Sequence, residues 1–178
     1  MPVALLLALA LMVGAATDAQ GKRAGGVGCA EHIEGPGVAP QVDPSRDVVR
    51  GPLALMGARL LQQHRMPVDR RTKLAIMLEA GHEATMVVAP SVRRITRLEY
   101  AFDDDARRPD IAVAFVPCAP DEPRFSGPGA VGPRTIWAGG IEVRRPACVR
   151  LLVWVDGRPL RDVRLPLGRA CRQRMVSV

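Results

Sequence analysis

Four cysteines, Cys29, Cys118, Cys148 and Cys171, are the residues of this chain whose type and number most directly imply chemistry. An even count invites pairing, and three connectivities are possible. No Cys-x-x-Cys spacing occurs, which argues against a paired-cysteine zinc site and against a thioredoxin-like redox centre. Two structural disulfides are therefore expected. Cys118 closes one apolar segment, 111–116, and Cys148 opens another, 148–155. If those segments are neighbouring antiparallel strands, the end of one lies beside the start of the other. The expected pairs are thus Cys118 with Cys148 and Cys29 with Cys171, each within the Cα separation of roughly 4.4–6.8 Å that a disulfide needs.

Other constellations offer less. His64, Met66, Met77, His82 and Met86 include the thioether and imidazole ligands that suit Cu(I). Met77 and Met86 fall inside apolar segments, however, where core packing accounts for them. Asp103-Asp104-Asp105 with Asp110 is the densest acidic cluster, but it lacks the EF-hand spacing and shares its loop with Arg107-Arg108. His82-Glu83-Ala84-Thr85-Met86 begins like a zinc-protease motif and lacks the second histidine. No Gly-x-Ser-x-Gly is present. Trp137-Ala138-Gly139-Gly140 places two glycines inside a strand, the mark of a bulge or a close backbone approach with the indole packed over it. A tryptophan platform for a sugar ring is the functional alternative there. The patterns nominate no catalytic residue, no metal ligand and no cofactor, so the expectation is a non-catalytic protein. A copper- or calcium-binding protein is the alternative, followed by a small envelope hydrolase.

The elements that would carry these residues begin after an unbroken apolar run, 2–16. That run is too short for a bilayer-crossing helix, which takes roughly 20 residues, and it matches the core of a secretory signal. Small side chains follow at Gly14-Ala15-Ala16 and Thr17-Asp18-Ala19. Residues 1–19 are read as a signal peptide with no membrane span left in the mature chain. The expected compartment is extracytoplasmic, secreted or at the envelope, which agrees with disulfides. Cys29 lies too far beyond the run for a lipoprotein anchor, and the C-terminus shows no sorting motif.

Net charge is +7 over 178 residues, and arginine outnumbers lysine 23 to 2. The arginines are scattered as pairs and only six aromatics exist, so the stripe of basic and stacking residues that nucleic acid demands is missing. Cleavage after Ala19 would remove one acid and leave 25 − 17 = +8, enough for mild attraction to anionic envelope components.

Residues 20–50 are rich in Gly and Pro and read as an irregular arm. Residues 51–178 carry short apolar segments at 52–61, 72–79, 83–89, 95–102, 111–116, 135–143, 148–155 and 160–167, separated by turn signals. Alternation of period two is plain at Ile111/Val113/Phe115 and at Val149/Leu151/Val153/Val155. Asp156-Gly157 between two such runs signals a hairpin. Leu53, Met56, Leu60 and Leu61 also have helical spacing, and strand is preferred for that segment. The expectation is an all-β domain, an Ig-like antiparallel β-sandwich of about eight strands, disulfide-stabilised and monomeric.

Gly51-Pro52-Leu53-Ala54-Leu55, Lys73-Leu74-x-Ile76, Phe115-Val116-Pro117-Cys118, Trp137-Ala138-Gly139-Gly140, Cys148-Val149-Arg150-Leu151 and Leu167-Gly168-Arg169-Ala170-Cys171 follow one another along the chain. In this it resembles a loose group of uncharacterised exported β-domain proteins of high-GC Gram-positive bacteria. The resemblance covers most of residues 29–171 and implies a fold and a compartment. Its motifs are strand ends, turns and cysteines, so it transfers no catalytic residue. Binding or a structural role at the envelope, with an unknown partner, is the resulting expectation.

Overall fold

The alternation of 149–155 becomes β11 (Ala147–Val155), in which Ala147, Val149, Leu151, Val153 and Val155 are buried and Arg150 is exposed. This is a computed structural model, and it describes residues 25–33, 41–63, 71–100, 110–125 and 128–171. β11 is the hub of a six-stranded sheet. On one side it pairs antiparallel with β6 (Ala84–Val88), which pairs antiparallel with β8 (Ala112–Phe115). β8 in turn pairs with β1 (Gly25–Val27). On its other side, β11 meets β13 (Val163–Leu167) along its first half and β12 (Arg158–Pro159) at its end. The expected hairpin joins β11 to β12. Asp156 and Gly157 both adopt positive φ, 49° and 72°, which suits the twist of a two-residue turn.

Two expected strands, 72–79 and 135–143, each break in two. β4 (Arg71–Lys73) and β5 (Ala75–Glu79) part at Leu74, and β9 (Arg134–Trp137) and β10 (Gly140–Val143) part at Ala138-Gly139. β5 and β9 belong to a four-stranded sheet with β2 (Val48–Arg50) and β3 (Leu53–Met56), in the order β2-β3-β5-β9. β4 and β10 join β7 (Thr96–Glu99) in a three-stranded sheet, β4-β10-β7. One double ribbon therefore changes sheets at a single corner. There the Leu74 N–H donates to the Gly139 carbonyl at 2.9 Å, and the Tyr100 hydroxyl donates to the Leu74 carbonyl at 2.7 Å.

The corner requires glycine. A Cβ on Gly139 would lie 2.2 Å from Tyr100 Cδ1, and one on Gly140 would lie 2.5 Å from the Thr72 carbonyl oxygen. The close approach expected at Trp137-Ala138-Gly139-Gly140 is thus present. Trp137 is fully buried, with its ring 5.3 Å from that of Phe115, and so it is no platform for a sugar.

Of the segment 53–64, the described part, 53–63, is both alternatives in turn. After β3, Gly57 at φ +75° breaks the strand, and α1 (Ala58–Gln63) buries Ala58 and Leu61 one turn apart. The Asp47 carboxylate organises that break, accepting from the Gly57 N–H at 2.7 Å and from the Asp43 N–H at 2.9 Å.

All three sheets send side chains into one core. Phe115, Val149, Leu151 and Leu165 come from the six-stranded sheet, Leu55, Ile76, Leu78 and Trp137 from the four-stranded one, and Leu98 and Ile141 from the third. Tyr100 packs edge-on to Phe115, its ring 5.1 Å away at 85°.

The all-β, disulfide-stabilised architecture matches expectation in class. The strand count does not: among the described residues thirteen strands in three sheets stand where about eight were expected. The reason is the bent ribbon, together with the short edge strands β1, β2, β4 and β12, which are too brief to show a period. Pairing is also not wholly antiparallel, because β1 runs parallel to β8. The stretch 20–50, expected to be irregular, supplies both β1 and β2. The expected signal peptide, 1–19, lies outside the described residues. Among the described residues no helix is long and apolar enough to cross a membrane.

Candidate functional site

Sheet order decides the disulfides, and it overturns the expected pairing. Cys29 bonds Cys118, and Cys148 bonds Cys171. The expected Cys118–Cys148 bridge needed β8 and β11 to be antiparallel neighbours. Instead β6 lies between them and is antiparallel to both, so β8 and β11 run parallel. The end of β8 and the start of β11 therefore sit at opposite ends of the sheet. Cys29 reaches Cys118 because β1 runs beside β8 in register, Val27 opposite Phe115, and both chains leave the sheet together. Cys148 pairs across the ladder with Pro166, and the bridge between Ala147 and Gly168 brings the following chain, with Cys171, alongside.

The first of these disulfides carries the densest chemistry among the described residues. Cys29 opens a short 3₁₀ turn, Cys29–Glu31, with His32 directly after it. Residues three apart eclipse in such a turn, so the Cys29 and His32 side chains share a face. The Glu31 carboxylate accepts from the Gly28 N–H at 2.8 Å, closing the turn on itself. The Trp137 indole N–H donates to the Gly28 carbonyl at 2.8 Å, fastening the turn to the core. On the opposite limb, the Cys118 N–H donates to the buried hydroxyl of Thr135 at 2.9 Å.

His32 is buried, only 7% exposed, and Cys118 is buried too, while Cys29 is half-buried. His32 Nδ1 donates to the Cys29 carbonyl and lies 3.6 Å from Cys118 Sγ. The Phe125 ring, itself 65% exposed, stacks on the imidazole with centroids 4.7 Å apart. One ligand atom from each of Cys29, His32 and Cys118 falls within 4.8 Å of the others. The sequence patterns considered above missed this set because they sought Cys-x-x-Cys. The signal was Cys29-Ala30-Glu31-His32, a cysteine and a histidine at chelating spacing.

The remaining candidates do not assemble into a site. His82 Nδ1 donates to Asp156 Oδ2 at 2.8 Å, and Asp156 Oδ1 accepts from the Glu83 N–H at 3.0 Å. These bonds, the His82 one foremost, hold the Asp156 carboxyl below its ordinary value. The arrangement secures the β11–β12 turn against the start of β6. Met77 and Met86 are buried packing residues. Asp110 is drawn into backbone pairing with Leu98. His64, Met66 and Asp103-Asp104-Asp105 lie outside the described residues.

A second feature is a groove beside a buried apolar cluster. On the outer side of the four-stranded sheet, Ala54, Met77 and Ile136 form an apolar cluster of their own, with Val42, Met56 and Ala75 packed on it. Beside it runs a groove of about 380 Å³ between Val42, Val49, Pro52 and Met77, bordered by Arg59 and Arg134. Arg134 pairs with Glu79 across β9 and β5 at 3.3 Å.

No family model, curated protein or solved structure matches this chain.

Proposed function

We propose that this chain is an exported, non-catalytic β module that binds a protein partner at the cell envelope through the outer face of its four-stranded sheet. The observation that carries this reading is the groove beside exposed Val49, whose lining includes Ala54 and Met77 of the second, buried apolar cluster. β2 pairs only with β3 among the described residues, so an extended segment added at its outer edge could lay alternate side chains across Val49 and into the groove. Glu79 also lines the groove and pairs with Arg134, so the argument from charge rests on Arg59 at the border, in a chain of net charge +7, which favours an apolar segment carrying an acid at that end.

Two cystine bridges and the apolar run 2–16 support the compartment. An immunoglobulin-like relationship of the layered sheets is part of the same reading, with the functional surface on a sheet face rather than on loops.

The test is fractionation of cells expressing the full chain, followed by binding of the purified mature chain to isolated envelopes. The expected results are an N-terminus between residues 17 and 21, and binding that Val49→Glu or Arg59→Glu weakens about tenfold, a loss of roughly 1.4 kcal/mol. Protease treatment of the envelopes beforehand should abolish binding. Binding that survives that treatment would assign the groove to a polymer or lipid and overturn the peptide reading. An intact leader on cytoplasmic protein with free thiols would overturn the compartment.

A further inference from the structure

We infer that the Cys29–Cys118 bridge is a redox gate over a metal site: once a dithiol opens it, the two sulfurs and the His32 imidazole hold one thiophilic d¹⁰ cation, Zn(II) or Cu(I). This site shares no residue with the lining of the outer-face groove and does not depend on the reading of that groove.

The donor set is already gathered. The 3₁₀ turn aligns Cys29 with His32, the strand pair β1–β8 delivers Cys118 opposite them, and the three ligand atoms lie within 4.8 Å of one another. Two thiolates and an imidazole suit soft or borderline cations, and such a set holds little attraction for Ca²⁺. Both limbs are held by bonds other than the disulfide. Trp137 and Glu31 fasten the turn through Gly28, Thr135 fastens the Cys118 backbone, and the Val116 N–H donates to the Val27 carbonyl at 3.0 Å. Opening the S–S bond therefore leaves the donors close together. Burial of His32 and Cys118 excludes competing water, and Phe125 walls the imidazole from outside.

The chemistry balances in two steps. A dithiol attacks the bridge by exchange through a mixed disulfide. Its second thiol then completes the reduction, so that the dithiol leaves as its own disulfide and Cys29 and Cys118 become thiols. The cation then binds both sulfurs and displaces their two protons to solvent. Metal–sulfur bonds of about 2.3 Å require the sulfurs to part, which rotation of the half-buried Cys29 side chain allows. Coordination by Nδ1 shifts the ring proton to Nε2 and exchanges the hydrogen bond to the Cys29 carbonyl for a metal bond. Three protein ligands leave Zn(II) one open position, while Cu(I) is satisfied by three.

The experiment titrates the full chain with Co(II) as a spectroscopic stand-in for Zn(II), before and after reduction by excess dithiol and its removal. Zn(II) and Cu(I) affinities are then read by chelator competition. The oxidised chain should show no thiolate-to-cobalt charge-transfer band, and the reduced chain should bind one equivalent with a two-thiolate band. Cys29→Ser should remove that band. His32→Ala should keep the fold and weaken binding at least about tenfold. A Cys148→Ser/Cys171→Ser variant should retain the site. Circular dichroism covers the case in which the reduced chain loses structure, because one equivalent of Zn(II) should then restore the β spectrum. Binding indifferent to His32, a folded reduced chain that takes up no metal, or an unfolded one that metal does not restore would each overturn the proposal.

Discussion

Replacing Gly139 with alanine tests the corner at which the ribbon passes from one sheet to the other. The added Cβ would stand 2.2 Å from Tyr100 Cδ1, 2.5 Å from Tyr100 Cε1 and 2.6 Å from the Glu99 carbonyl oxygen. None of these neighbours can yield freely. Tyr100 is 2% exposed, its ring packs edge-on to Phe115, and its hydroxyl satisfies the Leu74 carbonyl. Forcing extra volume into such a site costs about 1–3 kcal/mol. If the ring moves aside, the Leu74 carbonyl also loses its buried donor, a further ~1–3 kcal/mol. The two together give a loss of about 2–6 kcal/mol from a domain stability of the order of 5–15 kcal/mol. Urea unfolding with both disulfides intact, followed by circular dichroism, measures this directly. The loss should shrink in a Tyr100→Ala background, because the ring supplies the two closest contacts. A loss below about 1 kcal/mol, or an undiminished loss in that background, would refute the steric account.

Non-reducing peptide mapping should recover Cys29 linked to Cys118 and Cys148 linked to Cys171; a Cys118–Cys148 peptide would contradict the observed sheet order. Asp156 ionises more readily in the folded chain, so its contribution is complete above the ordinary aspartate value of 3.8 and is lost as pH falls through the lower folded value. Asp156→Asn keeps the acceptor for the Glu83 N–H and tolerates the positive φ, so it should flatten the acid limb of a stability–pH curve below about pH 4 with little effect at neutrality. Burial pushes the Tyr100 phenol well above its ordinary value of 10.0, so its share of stability is present below pH 10 and lost above it. Tyr100 is the chain's one tyrosine, so phenolate absorbance on alkaline titration should rise only together with unfolding seen by circular dichroism.

Face burial was legible in the sequence because it is a local property. The alternation of Val149, Leu151, Val153 and Val155 marks the inner face of β11 wherever that strand lies in the sheet. Asp156-Gly157 likewise codes its own turn through two residues that accept positive φ, and two glycines after Trp137 announce a close approach without naming what approaches. The all-β class and the hairpin rest on such local signals, and the even cysteine count implied that all four would be bridged without saying to which partner. Neighbour relations do not. Nothing within 111–118 or 147–155 records that β6 separates these strands, and that one insertion reverses which cysteines meet. The sheet change at Leu74 and Gly139 depends on a tyrosine 26 positions beyond Leu74, and the union of Cys29 and His32 with Cys118 spans 89 residues between the cysteines. Strand order and register are chosen by the summed burial of distant faces against the entropy of closing long loops, a balance that no short stretch of residues carries.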